Sequence, residues 1–346
     1  MFSSARGSSN PHGTFWHCVS SVFHCASLVR APRGLRSAEN ERPKIMNLAI
    51  SSPRLRRKDG LKFFFCILLL LAPAFGAEHD IKPARKIVRT PDGMNLICED
   101  RGKGDLTLVF LHGWSGDHEY WKNQVNPFAS NYRVVTIDQA GHGESGKTRQ
   151  NWTVSSLGED VESVAKALAL KRMVLIGHSM GGPVALIAAG RMPGKVVGIV
   201  AVDTLQNAEF KRPEDVSRKF LDDFAKDYDG TLRVTFPGLL PEKTDPDLSQ
   251  WLLTKAQAFD RTAALGLMRD LTTLDSVPHF REARVPIRAI NSSGGYQFFI
   301  PTAADINKKY SDFDVVFMEG VGHYPMLEKP EEFNQKLREV LKAFQK

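Results

Sequence analysis

The residue pattern with the clearest chemical meaning is the pentapeptide Gly-His-Ser-Met-Gly at residues 177–181. Four apolar residues precede it and a run of small residues follows it, which predicts a buried strand, a sharp turn and a helix, with Ser179 at the apex. The two flanking glycines leave room for the strained backbone of such a turn. The turn lifts the hydroxyl above the sheet, and the backbone N–H of Met180 points to where a negatively charged oxygen would form. The segment predicts a serine nucleophile with one oxyanion donor.

A serine hydroxyl is a weak nucleophile and needs a base within hydrogen-bonding distance that is itself oriented by an acid. The best base is His323, because it follows the last apolar strand and two glycines, Gly320 and Gly322, let its loop fold back. His178 is adjacent to the serine, but the expected turn directs its ring away from the hydroxyl. The pattern therefore predicts Ser179 and His323 as partners.

The elements that must position these residues alternate between buried strands and helix-length stretches. Besides the strand that leads into the pentapeptide, apolar runs predict strands at residues 106–111, 132–138, 196–202, 285–290 and 313–318. Two short alternating segments around the turn at residues 91–93 predict an antiparallel hairpin at a sheet edge. This order predicts an α/β fold with a doubly wound, mostly parallel sheet.

One stretch interrupts the alternation. Residues 204–284 show helical periodicity without a good strand, and helices are predicted at 213–228, 245–259 and 261–274. An excursion of this length at the carboxyl end of a sheet is most simply a helical cap above the site. We therefore expect a core of residues 84–203 and 285–346, with an inserted helical cap at 204–284.

Four motifs follow one another in a recognisable order: His112-Gly113-Trp114, a Gly-His-Gly-Glu-Ser loop at 141–145, the serine pentapeptide, and Gly322-His323. With these motifs, residues 84–346 resemble the α/β-hydrolase superfamily. The resemblance implies an α/β-hydrolase fold and the chain order nucleophile, acid, histidine. It also implies a second oxyanion donor, the backbone N–H of Trp114, beside that of Met180. Chemistry of this kind requires neither a metal nor an organic cofactor.

The acid departs from the commoner pattern of the superfamily. Many members carry it after the strand that corresponds to residues 286–290, but the loop that follows here, 291–297, contains no carboxylate. Asp305, the nearest downstream candidate, falls within a predicted helix. Asp203 stands at the carboxyl end of the strand after the nucleophile helix, a position that some members use for the acid. We predict Asp203 as the acid and keep Asp305 as the alternative.

Two further sets of side chains near the site have weaker signals. Aromatic residues beside Trp114, namely His118, Tyr120 and Trp121, could line an acyl pocket or belong to the ordinary core. Asp138 and Glu144 are expected to hold the Gly-His-Gly loop rather than to act in chemistry.

The basic charge of the chain lies in its first 77 residues. They hold 11 Lys and Arg against 3 Asp and Glu, whereas the remainder holds 35 against 36. The net charge of +7 therefore gives no reason to expect binding of nucleic acid. Three of the four cysteines also lie in this leader, so a chain without it keeps Cys98 alone and can form no internal disulfide.

The leader has the order of a secretory signal. A basic segment precedes an apolar run at residues 63–77, which is too short to cross comfortably the roughly 30 Å core of a bilayer. This predicts a signal peptide at 46–77, cleaved near Gly76 or Ala77, and a secreted or periplasmic protein without a stable membrane span after cleavage. The alternatives for the apolar run are an uncleaved anchor and a buried helix. Residues 1–45 are expected to be disordered or to result from a start assigned too early, with Met46 as the more ordinary start.

The combined prediction is a secreted serine hydrolase that cleaves a carboxylic ester or a related small acyl compound through an acyl-enzyme. Two alternatives use the same fold and residues. One is a ligand-sensing receptor or signalling partner with slow turnover, and the other is a cofactor-free lyase or perhydrolase. Rapid multiple turnover on simple esters distinguishes the hydrolase from the receptor. The oligomeric state is left open.

Overall fold

The computed structural model describes residues 81–345. They form an eight-stranded sheet in the order β1-β2-β4-β3-β5-β6-β7-β8. The strands are β1 (Ala84–Arg89), β2 (Asn95–Arg101), β3 (Thr107–Leu111), β4 (Arg133–Asp138), β5 (Met173–His178), β6 (Val196–Val202), β7 (Ile287–Ser292) and β8 (Phe313–Met318). β2 pairs antiparallel with both β1 and β4, and the remaining neighbours pair in parallel. The predicted doubly wound, mostly parallel sheet with an edge hairpin is confirmed.

Helices cover both faces of the sheet, as the burial of its central strands requires: every residue of β3 and β5 is buried. The helices that cover the sheet are α1 (Lys122–Ala129), α2 (Val154–Ala167) and α3 (Gly181–Arg191), followed later in the chain by α8 (Ser276–Ala283) and α11 (Pro330–Leu341). α3 packs against α2 and α8, and α1 packs against α11. The core is therefore continuous from the helices through the sheet.

Between β6 and β7 the chain is helical, as predicted. It contains α4 (Glu214–Lys226), α5 (Tyr228–Thr235), a 3-10 turn (Phe236–Leu239), α6 (Pro246–Ala258) and α7 (Arg261–Thr273) before α8. The helix predicted at 213–228 corresponds to α4, which ends before Asp227. The Asp227 side chain accepts a hydrogen bond from the backbone N–H of Gly230 and starts α5, a helix that was not predicted. The cap was predicted at 204–284, but α8 packs against α3 of the body, so we call residues 204–275, from the end of β6 to the start of α8, the cap.

The carboxyl-terminal part contains two short helices, α9 (Ala304–Asn307) and α10 (Pro325–Glu328), on either side of β8. None of the helices within residues 81–345 is both long and apolar enough to cross a membrane. The predictions for residues 1–45 and for a signal peptide at 46–77 lie outside the described residues.

Candidate active site

Ser179 lies on a tight turn between β5 and α3, in left-handed backbone with φ of 52°. The turn is compressed from both sides. A Cβ on Gly177 would lie 2.2 Å from the carbonyl oxygen of Gly181, and one on Gly181 would lie 2.5 Å from the carbonyl oxygen of Leu111. Only glycine fits at both positions, so the two glycines of the pentapeptide allow a non-glycine residue to keep this strained conformation.

Three side chains from different strand ends form one hydrogen-bonded series. His323 Nε2 lies 2.9 Å from Ser179 Oγ, and His323 Nδ1 lies 2.7 Å from Asp203 Oδ2. Ser179 and His323 are partly exposed, whereas Asp203 is only 2% exposed. The series runs inward from an accessible hydroxyl to a buried carboxylate, the arrangement in which an imidazole can accept the hydroxyl proton. Asp305, the alternative acid, is exposed on α9, away from this series.

The buried carboxylate of Asp203 receives further hydrogen bonds from the last residue of β7 and from the loop after it. The backbone N–H of Ser292 donates to Oδ1 at 2.9 Å, and the Tyr296 hydroxyl donates to Oδ2 at 2.8 Å. Burial alone would raise the pKa of Asp203, but the hydrogen bonds and charge of His323, together with these two donors, lower it below its ordinary value. Asp203 is therefore an anion over the whole neutral range.

His178 supports the loop that carries His323 rather than facing the serine hydroxyl. Its Nε2 donates to the backbone carbonyl of His323 at 2.7 Å. Complete burial and the neighbouring His323 lower the pKa of His178 to about 3, so its ring is neutral. Glu328 holds the same loop by accepting hydrogen bonds from the backbone N–H groups of Gly322 and Tyr324, at 2.8 and 2.9 Å. The peptides on both sides of His323 are thus fixed.

The peptide between Gly113 and Trp114 is oriented by a buried imidazole. The backbone N–H of Gln139 must donate to His112 Nε2, at 3.1 Å, so His112 Nδ1 carries the proton and donates to the Gly113 carbonyl at 2.8 Å. In a trans peptide the C=O and the following N–H point in opposite directions. The imidazole therefore also fixes the direction of the Trp114 N–H. This peptide lies against the serine turn, since a Cβ on Gly113 would be only 3.0 Å from Ser179 Cβ.

Met180, the second predicted oxyanion donor, directly precedes α3 at the N-terminal end of its helix dipole. Met180 directly follows Ser179 in the same turn, and Trp114 belongs to the loop after β3, whose Gly113 lies against Ser179. The His112 and Gln139 pair behind Trp114 was not predicted as part of the site. The His112-Gly113 motif marked His112 as a residue of interest, but its partner Gln139 comes 27 residues later, after β4.

The cap contacts the site at two places. The Trp114 indole N–H donates to the carbonyl of Ala264 at 3.0 Å, and its ring lies 5.8 Å from the ring of Phe224 and 5.4 Å from that of Phe259. On the other side of the serine, the backbone N–H of His323 donates to the carbonyl of Leu239 at 2.8 Å. Both loops that flank Ser179 are therefore attached to the cap.

The aromatic residues predicted near Trp114 have different positions. The ring of Tyr120 is fully buried and lies 5.6 Å from Trp251 of the cap, whereas Trp121 packs inside the body against Phe110 at 4.9 Å. His118 faces Asp138 at 2.8 Å, and this hydrogen bond raises the pKa of His118 to about 9.

Asp138 also accepts a hydrogen bond from the backbone N–H of Glu144, at 3.0 Å. This contact attaches the Gly-His-Gly loop to the end of β4. Among residues 81–345, no group of three or more His, Cys, Asp or Glu side chains is arranged to hold a metal ion.

The chain belongs to the alpha/beta hydrolase family, whose model matches residues 108–336. Among curated relatives, the AB hydrolase superfamily protein YisY of Bacillus subtilis is 29% identical over 175 residues, which cover 48% of this chain and 65% of that protein. The non-heme chloroperoxidase of Streptomyces lividans is 36% identical over 143 residues, covering 40% of this chain and 52% of that protein. The chain thus spans less than two thirds of the length of either relative.

Solved structures of esterases share the fold. An esterase from Exiguobacterium antarcticum superposes with a TM-score of 0.68 at 19% identity, covering 75% of this chain and 100% of that one. A thermophilic esterase from Thermogutta terrifontis gives a TM-score of 0.65 at 22% identity, covering 76% and 100%. The predicted superfamily and fold are therefore confirmed.

Proposed function

We propose that this protein is a serine hydrolase that cleaves a carboxylic ester or a related acyl substrate through a Ser-His-Asp triad. The observation that carries the proposal is the hydrogen-bonded series from Ser179 through His323 to Asp203. Membership of the alpha/beta hydrolase family and the fold shared with esterases support it. A serine, rather than an aspartate, at the turn favours acyl transfer to the enzyme followed by hydrolysis.

In the first half of the proposed reaction, His323 Nε2 accepts the Ser179 proton while Oγ attacks the substrate carbonyl. The backbone N–H groups of Trp114 and Met180 stabilise the negative oxygen of the tetrahedral intermediate. Asp203 keeps the proton of His323 on Nδ1, so that Nε2 is free to accept, and stabilises the imidazolium that forms. His323 then protonates the leaving alcohol.

In the second half, His323 removes a proton from water, which attacks the acyl-enzyme carbonyl. The second tetrahedral intermediate uses the same two backbone donors, and its collapse returns the proton to Ser179 and releases the carboxylic acid. All proton transfers take place at one nitrogen, Nε2 of His323, so no metal or organic cofactor enters the proposed reaction.

Steady-state hydrolysis of a series of p-nitrophenyl esters tests this proposal. We expect multiple turnover by the wild-type protein, a loss of at least about 10⁴-fold in kcat with Ser179→Ala, and a loss of about 10³-fold to 10⁴-fold with Asp203→Asn. The matched control is Asp305→Asn on the exposed face of α9, which should leave kcat unchanged. Loss of activity with Asp305→Asn and not with Asp203→Asn would move the acid to α9. A folded wild-type protein without turnover would favour a ligand-sensing role.

Perhydrolysis is a second candidate, because one matching relative is named a non-heme chloroperoxidase and another, from Acinetobacter calcoaceticus, a bifunctional esterase/perhydrolase. Hydrogen peroxide would replace water as the attacking nucleophile on the acyl-enzyme, and the product would be a peracid. Competition between water and peroxide at fixed ester concentration, with the peracid and the acid quantified separately, measures the preference.

We also propose that the protein is exported, on the sequence of residues 46–77. N-terminal sequencing of the protein after expression in a secreting host tests this. A first residue near Glu78 supports cleavage of a signal peptide, and retention of the leader in the cell contradicts it.

A further inference from the structure

The loop after β7 contains donors in the place where many members of the family carry their acid. Ser292 donates its backbone N–H to Asp203 Oδ1, and Tyr296 donates its hydroxyl to Asp203 Oδ2, the oxygen that also faces His323 Nδ1. We propose that Tyr296 is a positioning residue of the reaction: its hydroxyl fixes the orientation of the Asp203 carboxylate and sets how strongly that carboxylate holds the imidazolium. This inference rests on the proposed hydrolase function.

The backbone of the loop is shaped to bring this hydroxyl to the carboxylate. Gly294 and Gly295 have φ values of 121° and 97°, a region that other residues rarely occupy. They reverse the chain directly after β7, and the half-buried ring of Tyr296 then lies with its edge against Phe299, at a centroid distance of 5.8 Å. The backbone N–H of Phe298 donates to the carbonyl of Gly238 in the cap, at 3.1 Å, which holds the far side of the turn.

A second clamp holds the backbone that carries the acid. The Asn291 side chain accepts a hydrogen bond from the N–H of Thr204 and donates to the carbonyl of Thr204, both at 3.2 Å. Asp203 itself is in left-handed backbone, with φ of 43°. The end of β7 thus fixes the main chain of the acid through Asn291 and its two carboxylate oxygens through Ser292 and Tyr296.

Tyrosine suits this position because its hydroxyl remains a donor. Burial, and then the negative charge of Asp203, raise the pKa of Tyr296 well above its ordinary value, so the phenol stays protonated wherever the enzyme works. A hydrogen bond to a carboxylate is charge-assisted and stronger than one between neutral groups. Tyr296 and His323 therefore share the negative charge of one oxygen, and the carboxylate holds the imidazolium less strongly than it would without the phenol.

Tyr296→Phe removes the hydroxyl and keeps the ring, and it has two separate expected effects. Because the carboxylate loses one of the contacts that orient it, kcat should fall about tenfold, the size expected for one hydrogen bond to a charged group, with KM unchanged. Because more charge remains on Asp203, the imidazolium is favoured, and the acid-side midpoint of the kcat/KM profile should move to higher pH. A purely structural role for Tyr296 predicts no movement of this midpoint.

The experiment compares Tyr296→Phe with Tyr310→Phe, in which the same substitution removes a hydroxyl bonded to Glu209 at 2.6 Å, outside the site. Three quantities are measured for each: the kcat/KM profile against pH on p-nitrophenyl acetate, the melting temperature, and the low-field proton NMR signal of the His323–Asp203 hydrogen bond. Relative to wild type, we expect the midpoint of the pH profile and the position of the NMR signal to shift in Tyr296→Phe and to remain unchanged in Tyr310→Phe. An unchanged profile and signal, with or without a lower melting temperature, overturns the proposal.

The NMR signal separates this proposal from the proposed function, since it needs no substrate. A shifted signal in a protein that turns over no ester would uphold the role of Tyr296 at Asp203 and reject the esterase. If Tyr296→Phe does not fold, 3-fluorotyrosine at position 296 replaces it. This residue keeps the shape and is a stronger donor, so the midpoint must then move to lower pH, and an unchanged midpoint overturns the proposal.

Discussion

The body and the cap contribute to the site in different ways. The body supplies every ionisable group of the proposed triad, each at or after a strand end: Ser179 after β5, Asp203 after β6 and His323 after β8. The cap reaches the same loops through two backbone carbonyls, those of Leu239 and Ala264, and through aromatic rings around Trp114. The groups of the proposed triad therefore lie in the part that contains the buried strands, and the part with half-exposed helices contacts the loops that carry them. Substitutions in the two parts should affect different quantities.

The largest expected effect is in the body, at the serine turn. Gly177→Ala places a Cβ 2.2 Å from the carbonyl oxygen of Gly181 and 2.8 Å from the nitrogen of Gly182, which are backbone atoms that cannot move aside. We expect a loss of at least about 3 kcal/mol in the free energy of unfolding, or no folded protein, since overpacking against a rigid backbone is at the costly end of core substitutions. Denaturant titration measures it.

The control for this comparison is Gly190→Ala in α3, the helix that follows the turn. Its Cβ would approach Glu282, at 3.3 Å from the Cβ and 3.4 Å from the backbone oxygen, which is far looser than at Gly177, and alanine favours a helix over glycine by about 1 kcal/mol. Stability should be equal or slightly higher. Equal denaturation midpoints for Gly177→Ala and wild type would show that the turn is not compressed.

A smaller effect is expected where body and cap meet. Trp114→Ala keeps the backbone N–H of residue 114 but removes the ring that packs between Phe224 and Phe259 and the hydrogen bond to Ala264. We expect kcat/KM for p-nitrophenyl acetate to fall by about 10-fold to 100-fold, which corresponds to about 1.4 to 2.7 kcal/mol. The loss should shrink for longer acyl chains, because they can fill the vacated space.

Trp114→Phe is the matched variant, since it keeps an aromatic ring and loses the indole donor. Its kcat/KM should lie between those of wild type and Trp114→Ala. Equal losses for every acyl length would mean that the ring of residue 114 supports the loop without bordering the acyl site.

The smallest effect is expected in the cap itself, at the ion pair that attaches α6 to the body. Lys255 Nζ contacts the carboxylates of Asp117 and Glu119, both at 2.5 Å. Lys255→Met should lower the free energy of unfolding by about 1 kcal/mol and reduce its dependence on salt, because partly exposed ion pairs are weak and screened. The value of kcat should change little.

Lys336→Met is the control within the body, because Lys336 pairs with Glu332 four residues away in the same helix, α11, at 3.8 Å. Such pairs contribute about 0.3 to 0.5 kcal/mol. A larger loss with Lys336→Met than with Lys255→Met would contradict the assignment of Lys255 as the stronger contact between cap and body.

The same contrast explains how much the sequence could predict. The strands before Ser179, Asp203 and His323 could be predicted because each is a short apolar run that ends abruptly and is followed by glycine or polar residues. The helix predicted at 213–228 corresponds to α4, but α5 directly after it was not predicted, because the Asp227 side chain lies between the two helices and caps the second one. Periodicity indicates that a stretch is helical and does not locate a break that a capping side chain makes.

Tyr296 and Gln139 could not have been found from the sequence. Each depends on a contact between loops at different strand ends: Tyr296 reaches Asp203 across 93 positions, and Gln139 reaches His112 across 27. The two glycines before Tyr296 signalled a turn, but only the folded loop shows its direction. In the sequence, only the absence of a carboxylate from residues 291–297 indicated that this loop does not supply the acid of the triad.

The hydrogen bond from the His323 backbone to Leu239 has a consequence for the behaviour of the protein on warming. Segments with fewer buried contacts open at lower free energy than the core, and the helices of the cap are half-exposed where the central strands are wholly buried. When the cap loosens, the base of the triad loses one of the bonds that hold its loop while the sheet remains intact. Heat inactivation should then set in before the sheet melts, and it should reverse on cooling.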